Sequence, residues 1–165
     1  MATATYVPLA TQTLGSAANT ITLSSIPSGY TDLRFVVSAP SWVTSTASTV
    51  QVTFNGDAGS NYSMTDLYGD GTSASSYTQT SKTYILLEPS GTGNQTLPFL
   101  LTGDIFSYTG STYKTGLFNS VNDTNGSGLL VSTVGLWRST SAITSISLYT
   151  GASFNTGTTA TLWGI

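Results

Sequence analysis

Few side chains in this 165-residue sequence can do chemistry. It has no His and no Cys, so Ser-His-Asp and Cys-His nucleophile systems lack their base or their thiol. What remains is carboxylate chemistry, from one Glu (Glu88) and six Asp. A glycosidase needs only two carboxyl groups flanking a sugar bond, so a dyad is arithmetically possible. Glu88 precedes Pro89 at the end of a strand-like run, however, and a solvated strand terminus accounts for it without catalysis. The expectation is no catalytic residue and no enzyme.

Carboxylate and amide oxygens also suit Ca²⁺. The run Asn122-Asp123-Thr124-Asn125-Gly126-Ser127-Gly128 has the composition of a calcium loop but lacks a terminal bidentate Glu. Asn, Asp and Gly gather in tight turns for backbone reasons alone. Asp57, Asp66 and Asp70 fall within one loop-like region and read the same way. Neither a metal nor another cofactor is expected. The third possible chemistry is carbohydrate binding. Tyr62, Tyr68, Tyr77, Tyr108 and Tyr113 lie in or beside loop-like stretches, and Tyr offers both a stacking ring and a hydroxyl. Their spacing marks no site, so receptor-binding residues stay unassigned. Trp42, Trp137 and Trp163 read as core residues or interface anchors.

The elements that must position these side chains are strands. Thr49–Phe54 sets Val50, Val52 and Phe54 on one face and Thr49, Gln51 and Thr53 on the other. Tyr30–Ala39 does the same with Leu33, Phe35 and Val37. Strict alternation of this kind marks half-buried strands. Further β-rich runs cover Thr5–Leu14, Asn19–Ser25, Thr83–Glu88, Gln95–Tyr108, Tyr113–Val121, Leu129–Arg138, Ile143–Thr150 and Thr158–Ile165. Pro8 and Pro98 cannot donate to a ladder and demand an edge or a bulge. Turn clusters separate the runs, among them Asn55-Gly56-Asp57 and Gly69-Asp70-Gly71, whose residue types supply positive φ. Ser60–Ser81, rich in Ser, Tyr and Gly, reads as long loops with at most a short strand at Met64–Tyr68. No helical period, internal repeat or linker stands out. These features predict one all-β domain over residues 1–165: a two-sheet antiparallel sandwich, jelly-roll-like, with a closed barrel as the alternative. A chain of this length can bury roughly 70% of its unfolded surface, so it needs no disulfide or metal staple.

Composition excludes several partners. Only 7% of residues are charged, against about 25% in an average domain, while Ser and Thr make up roughly a third. Arg34, Lys82, Lys114 and Arg138 are scattered in a chain of net charge −3, which argues against nucleic acid. The longest apolar run, Leu97–Leu101, contains Pro98 and is far below the ~20 residues of a membrane span. The start, MATATYVPLA, shows no basic segment followed by an apolar core, so no secretory signal is expected. With only two Lys to guard its edge strands, the protein must blunt them by other means or cover them with partners. The end points the same way. Ala160, Leu162 and Gly164 alternate with Thr161, Trp163 and Ile165, and a turn at Gly151–Gly157 would pair Ile143–Thr150 with this strand as a terminal hairpin. Trp163 and Ile165 should then be covered by the chain's own loops or by a neighbouring subunit.

Two stretches carry a resemblance. Phe54–Ser63 reads FNGDAGSNYS, and Gly135–Ile165 contains WRSTSAITSISLYT and FNTGTTATLWGI. Together they resemble small β-sandwich structural proteins of tailed bacteriophages, in which a strand ending in Asn-Gly-Asp is followed by Gly-Ser-Asn-Tyr-Ser. In that group the end is Leu-Tyr-Gly-Ile-like; here Trp163 stands where Tyr is expected, and no Lys follows Ile165. The motifs cover about a quarter of the chain. The resemblance implies a virion structural role, frequent trimerisation and no catalytic residues to carry over. The expected protein is thus a capsid decoration or cement protein on the outer surface of the particle. Its partners would be itself, as a homotrimer, and the major capsid protein or other virion proteins. The alternative is a tail- or head-fibre module that adsorbs to host surface glycan through Tyr62, Tyr68 or Tyr77.

Overall fold

The computed structural model describes residues 5–41, 49–87, 97–123, 126 and 128–165. Among them are twelve strands and no helix. In chain order the strands are β1 (Val7–Thr13), β2 (Ala18–Leu23), β3 (Leu33–Ala39), β4 (Val50–Phe54), β5 (Tyr62–Gly69) and β6 (Ala74–Lys82). They continue with β7 (Ile85–Leu87), β8 (Phe99–Phe106), β9 (Lys114–Asn122), β10 (Leu129–Trp137), β11 (Ile146–Phe154) and β12 (Thr159–Gly164). One sheet has eight strands in the order β1-β12-β3-β8-β9-β10-β5-β6, and the other has four, β2-β11-β4-β7. Every pairing is antiparallel. This is the antiparallel two-sheet sandwich that the period-two pattern predicts.

Alternation decides which face each strand buries. Leu33, Phe35, Val37 and Ala39 of β3 point inward, as do Val50, Val52 and Phe54 of β4, and both rows are buried. They join one apolar cluster fed by both sheets. Its middle depends on glycines at inward positions of three adjacent strands. A Cβ on Gly103 would overlap the rings of Phe35 and Phe118, one on Gly116 would reach Phe118, and one on Gly135 would meet Ile85. These missing side chains form a dish in which Phe118 and Ile85 lie close to the backbone, at interior packing density.

Two expectations about connectivity fail. Ser60–Ser81 is not mainly long loops but the β5–β6 hairpin, whose first strand contains the expected Met64–Tyr68 and which turns at Asp70-Gly71 with Gly71 at φ 86°. Loop-like composition misleads because β6 is an edge strand with little to bury, and its residues ASSYTQTSK are mostly exposed. Nor do β11 and β12 form a terminal hairpin. β11 lies between β2 and β4 in the small sheet, whereas β12 lies between β1 and β3 in the large one. The register of β11 shifts between Tyr149 and Phe154, where Ser153 takes φ 48°, and the chain then crosses from one sheet to the other. Bulges of this kind redirect strands. The faces of β12 are nevertheless as expected: Ala160, Leu162 and Gly164 are buried, while Thr161, Trp163 and Ile165 are partly exposed.

The edges carry several protective devices. β1 has Pro8 and a bulge before Ala10, β6 is irregularly paired between Tyr62 and Met64, and β7 has only three residues. The sheets are also unequal in width. β7, the last strand of the small sheet, packs over β5, β9 and β10, and its Leu86 N–H approaches Met64 Sδ at 3.0 Å. β6 lies one strand further out, so the large sheet overhangs the small one there.

Candidate functional site

The two resemblance-bearing stretches meet in space and form one polar knot. Asn55 (φ 55°) and Gly56 (φ 68°) make the tight turn that Asn-Gly predicts, closed by Asp57 N–H to Phe54 O at 2.9 Å. The Asp57 carboxylate then accepts hydrogen bonds from Gly59 N (2.8 Å), Asn61 Nδ2 (2.9 Å) and Trp137 Nε1 (2.7 Å). The Trp137 bond, followed by the Asn61 bond, holds the carboxyl below its ordinary pKa. Asn55 Oδ1 accepts from Thr144 N and Ser145 N, and its Nδ2 donates to Ala142 O. Arg138 closes the knot with its N–H on Asn61 O and its Nη2 on Ser60 O. Beneath it Tyr62, Phe54 and Trp137 pack ring against ring. Tyr62 is wholly buried, its hydroxyl meets Phe54 N–H at 3.0 Å, and burial pushes its pKa up to about 12. Tyr62 is therefore a core residue, and the expectation of a receptor-facing Tyr62 is corrected.

The other singled-out side chains divide between scaffold and surface. Tyr108 is buried with its hydroxyl on Pro27 O. Tyr113 is 56% exposed, while Trp163 lies on the outer row of β12 opposite Arg34 and Pro8. Asp70 caps Thr72 N and Ser73 N, Asp123 caps Gly126 N, and Asn122 Oδ1 accepts from Leu129 N. These loop oxygens are engaged in turns, and among the described residues no three acidic groups gather. Glu88, Trp42, and Thr124, Asn125 and Ser127 of the calcium-like run lie outside the described residues. Lys114 does more than its place among the scattered basic residues foretold. It is buried, donates to the carbonyls of Gly110 (2.6 Å) and Thr112 (2.5 Å), and burial lowers its pKa.

Two surfaces remain. The first is a cleft of about 400 Å³ under the overhang, lined by Asp66, Tyr68, Ser76, Tyr77, Gln79 and Leu86. Asp66 sits opposite Tyr77 and next to Thr133 in the ladders, and Gln79 pairs with Met64. Asp66, Tyr68, Tyr77 and Gln79 thus share one face of the β5–β6 hairpin. Asp66 is a buried strand residue, not the loop residue expected, and among the described residues its Oδ1 has no hydrogen-bond partner. Burial raises its pKa, with Thr133 opposing. The second surface is the outer face of the large sheet. Leu67, Leu130, Val134 and Leu117 are exposed there, at 60%, 57%, 49% and 37%. Leu117 pairs with Val134, Ser132 with Leu67, and Val121 with both Leu130 and Leu100, so the apolar positions adjoin. Across the outward rows of β5, β8, β9 and β10 the one charged side chain is Asp104, which pairs with Arg34 at 3.5 Å.

No protein-family model matches the chain, and no curated protein matches it. Among solved structures, the chain is similar to a crystal structure of scytalido-glutamic peptidase with a transition state analog inhibitor. That likeness covers 88% of this chain and 75% of that one, at 17% identity and a TM-score of 0.32, a level from which no function follows.

Proposed function

We propose that this protein is a non-catalytic structural subunit of a tailed-phage particle, a capsid decoration or cement protein that binds the outer shell as a homo-oligomer. The observation that carries the reading is the outer face of the eight-stranded sheet. Strand-borne Leu, Val and Phe side chains adjoin there almost without charge, on a chain whose sandwich core is already complete without them. Monomers seldom expose such a face, and the ordinary reason is a protein partner. The occupants in this reading are neighbouring copies of the chain and the shell beneath them. The mechanism is added contact area: each subunit bridges shell proteins and resists their separation.

The resemblance of these two stretches to phage β-sandwich proteins supplies the virion context, and the knot brings the two stretches together in this fold. Asp57 binds Asn61 and Trp137, and Asn55 binds Ala142, Thr144 and Ser145, so the two stretches hold the fold together. The test is imaging of intact particles at side-chain resolution. Hundreds of copies on the shell, packed through Leu67, Leu117, Leu130 and Val134, are expected. A few copies confined to the tail, or a shell contact elsewhere with these residues bare, would reject the reading.

A further inference from the structure

The cleft under the β5–β6 overhang has a composition that assembly does not use. It opens on the inner face of the hairpin, opposite to the apolar outer face, so one can be filled while the other is covered. Its walls combine two Tyr rings, a carboxyl, a carboxamide and the flank of Leu86, with neither Lys nor Arg. Asp66 in its wall is 6% exposed, and its buried Oδ1 has no partner among the described residues. Buried polar atoms are nearly always satisfied, so this oxygen, itself closed to solvent beside the cleft, calls for a partner that a ligand or a water would supply. We propose that this cleft binds a neutral sugar residue, stacked on Tyr77 or Tyr68 and hydrogen-bonded through its hydroxyls to Asp66 and Gln79.

The chemistry selects that ligand class. Tyr rings offer an apolar face for the C–H side of a pyranose and a hydroxyl at the rim. The Asp66 carboxyl and the Gln79 amide provide an acceptor and a donor–acceptor pair, the complement of vicinal sugar hydroxyls. A wall without cations gives phosphate, sulfate or uronate no counter-charge. A quaternary ammonium would also suit the rings, and it is the competing ligand that the trimethyl-lysine probe tests. A volume of about 400 Å³ accommodates a mono- or disaccharide. The inference stands on the cleft alone and does not require the assembly reading.

The experiment is a titration of the full chain, isotope-labelled for NMR, with neutral hexose and N-acetylhexosamine oligosaccharides. A sulfated oligosaccharide and a trimethyl-lysine peptide are run in parallel. The expected result is a neutral oligosaccharide that shifts the amides of residues 66–68 and 75–79. Binding should weaken at least about tenfold in Tyr77→Ala and in Asp66→Ala, and stay unchanged in Tyr113→Ala. Tyr77 is 52% exposed on an edge strand, so its variant tests the site even if Asp66→Ala folds poorly. The inference is overturned if no neutral sugar binds by about 10 mM. Shifts confined to other residues, indifference to Tyr77→Ala, or a cleft that takes the sulfated probe or the peptide instead would equally overturn it.

Discussion

Trp137 Nε1 donates a 2.7 Å hydrogen bond to Asp57 Oδ2, joining the end of β10 to the turn after β4. This bond locks the two sheets at one end of the sandwich, because β4 belongs to the small sheet and β10 to the large one. Asp57→Ala should therefore destabilise the protein well beyond a typical surface change. It orphans the indole N–H and frees Gly59 and Asn61, a loss of about 2 kcal/mol by the usual worth of bonds to a charged acceptor. Trp137→Phe should cost at least as much, since it also opens space beside Phe54 and Tyr62. If the two losses in urea unfolding simply added in the double variant, the bond would not be coupling the sheets.

Asp57 and Asp66 should give pH dependences of opposite sign. The Asp57 pKa is lowered in the folded protein, chiefly by Trp137, so its contribution is present above the unfolded value and lost as pH falls through the folded one. The Asp66 pKa is raised by burial, so its folded state favours the proton. Stability from Asp66 is present below the unfolded value and lost as pH rises through the folded one. Asp66→Asn should accordingly raise stability at neutral pH relative to acid, and Asp57→Asn should flatten the acid limb. Chemical denaturation between pH 3 and 8 measures both, and equal slopes in wild type and variants would contradict them.

Most of the sandwich is legible in the sequence because strands buried on one face must alternate. β3, β4, β8 and β10 are readable for that reason, to within a few residues at their ends. β6 is not, since an overhanging edge strand has no core to bury and so carries Ser and Thr on both faces. The partner of β12 is illegible for a different reason: alternation says which face is buried but not which sheet a strand joins. At the site, Tyr68 and Tyr77 are identifiable as ligand-type residues. Asp66 is not, because its importance lies in a ladder position opposite Tyr77 and in the carboxyl oxygen left unpaired there among the described residues. The meeting of Asp57 with Trp137 joins residues far apart in sequence, and no local pattern announces it.

Charging the outer face should abolish association while sparing the fold. Val134 and Leu67 are 49% and 60% exposed and point away from the core, so Val134→Asp and Leu67→Lys remove little buried area. Each should change unfolding free energy by less than about 0.5 kcal/mol, the usual range for exposed sites. In light scattering the wild type should run as an oligomer and each variant as smaller species. A wild type that stays monomeric at high concentration, with no loss of particle binding in the variants, would remove the face from the assembly.

The C-terminal strand gives the sharpest stability prediction. Ile165 N–H bonds to Asp32 O at 3.0 Å, and Ile165 O accepts from Thr31 N and Asp32 N at 2.8 and 3.1 Å. One residue back, the Tyr30 ring lies where a Gly164 Cβ would stand. Gly164→Ala must displace that ring or the strand, and overpacking of this kind costs about 1–3 kcal/mol. Tyr30→Ala alone should also destabilise, but in Gly164→Ala it should relieve the clash, so the double variant is more stable than the sum of the two losses predicts. Removing Leu162–Ile165 goes further: it takes the buried Leu162 from the core and leaves the chain at Thr31 and Asp32 without these bonds. That truncation should yield no cooperative unfolding transition by calorimetry. A truncated chain that melts cooperatively near the wild-type temperature would show that β12 closes at Ala160 without its last four residues.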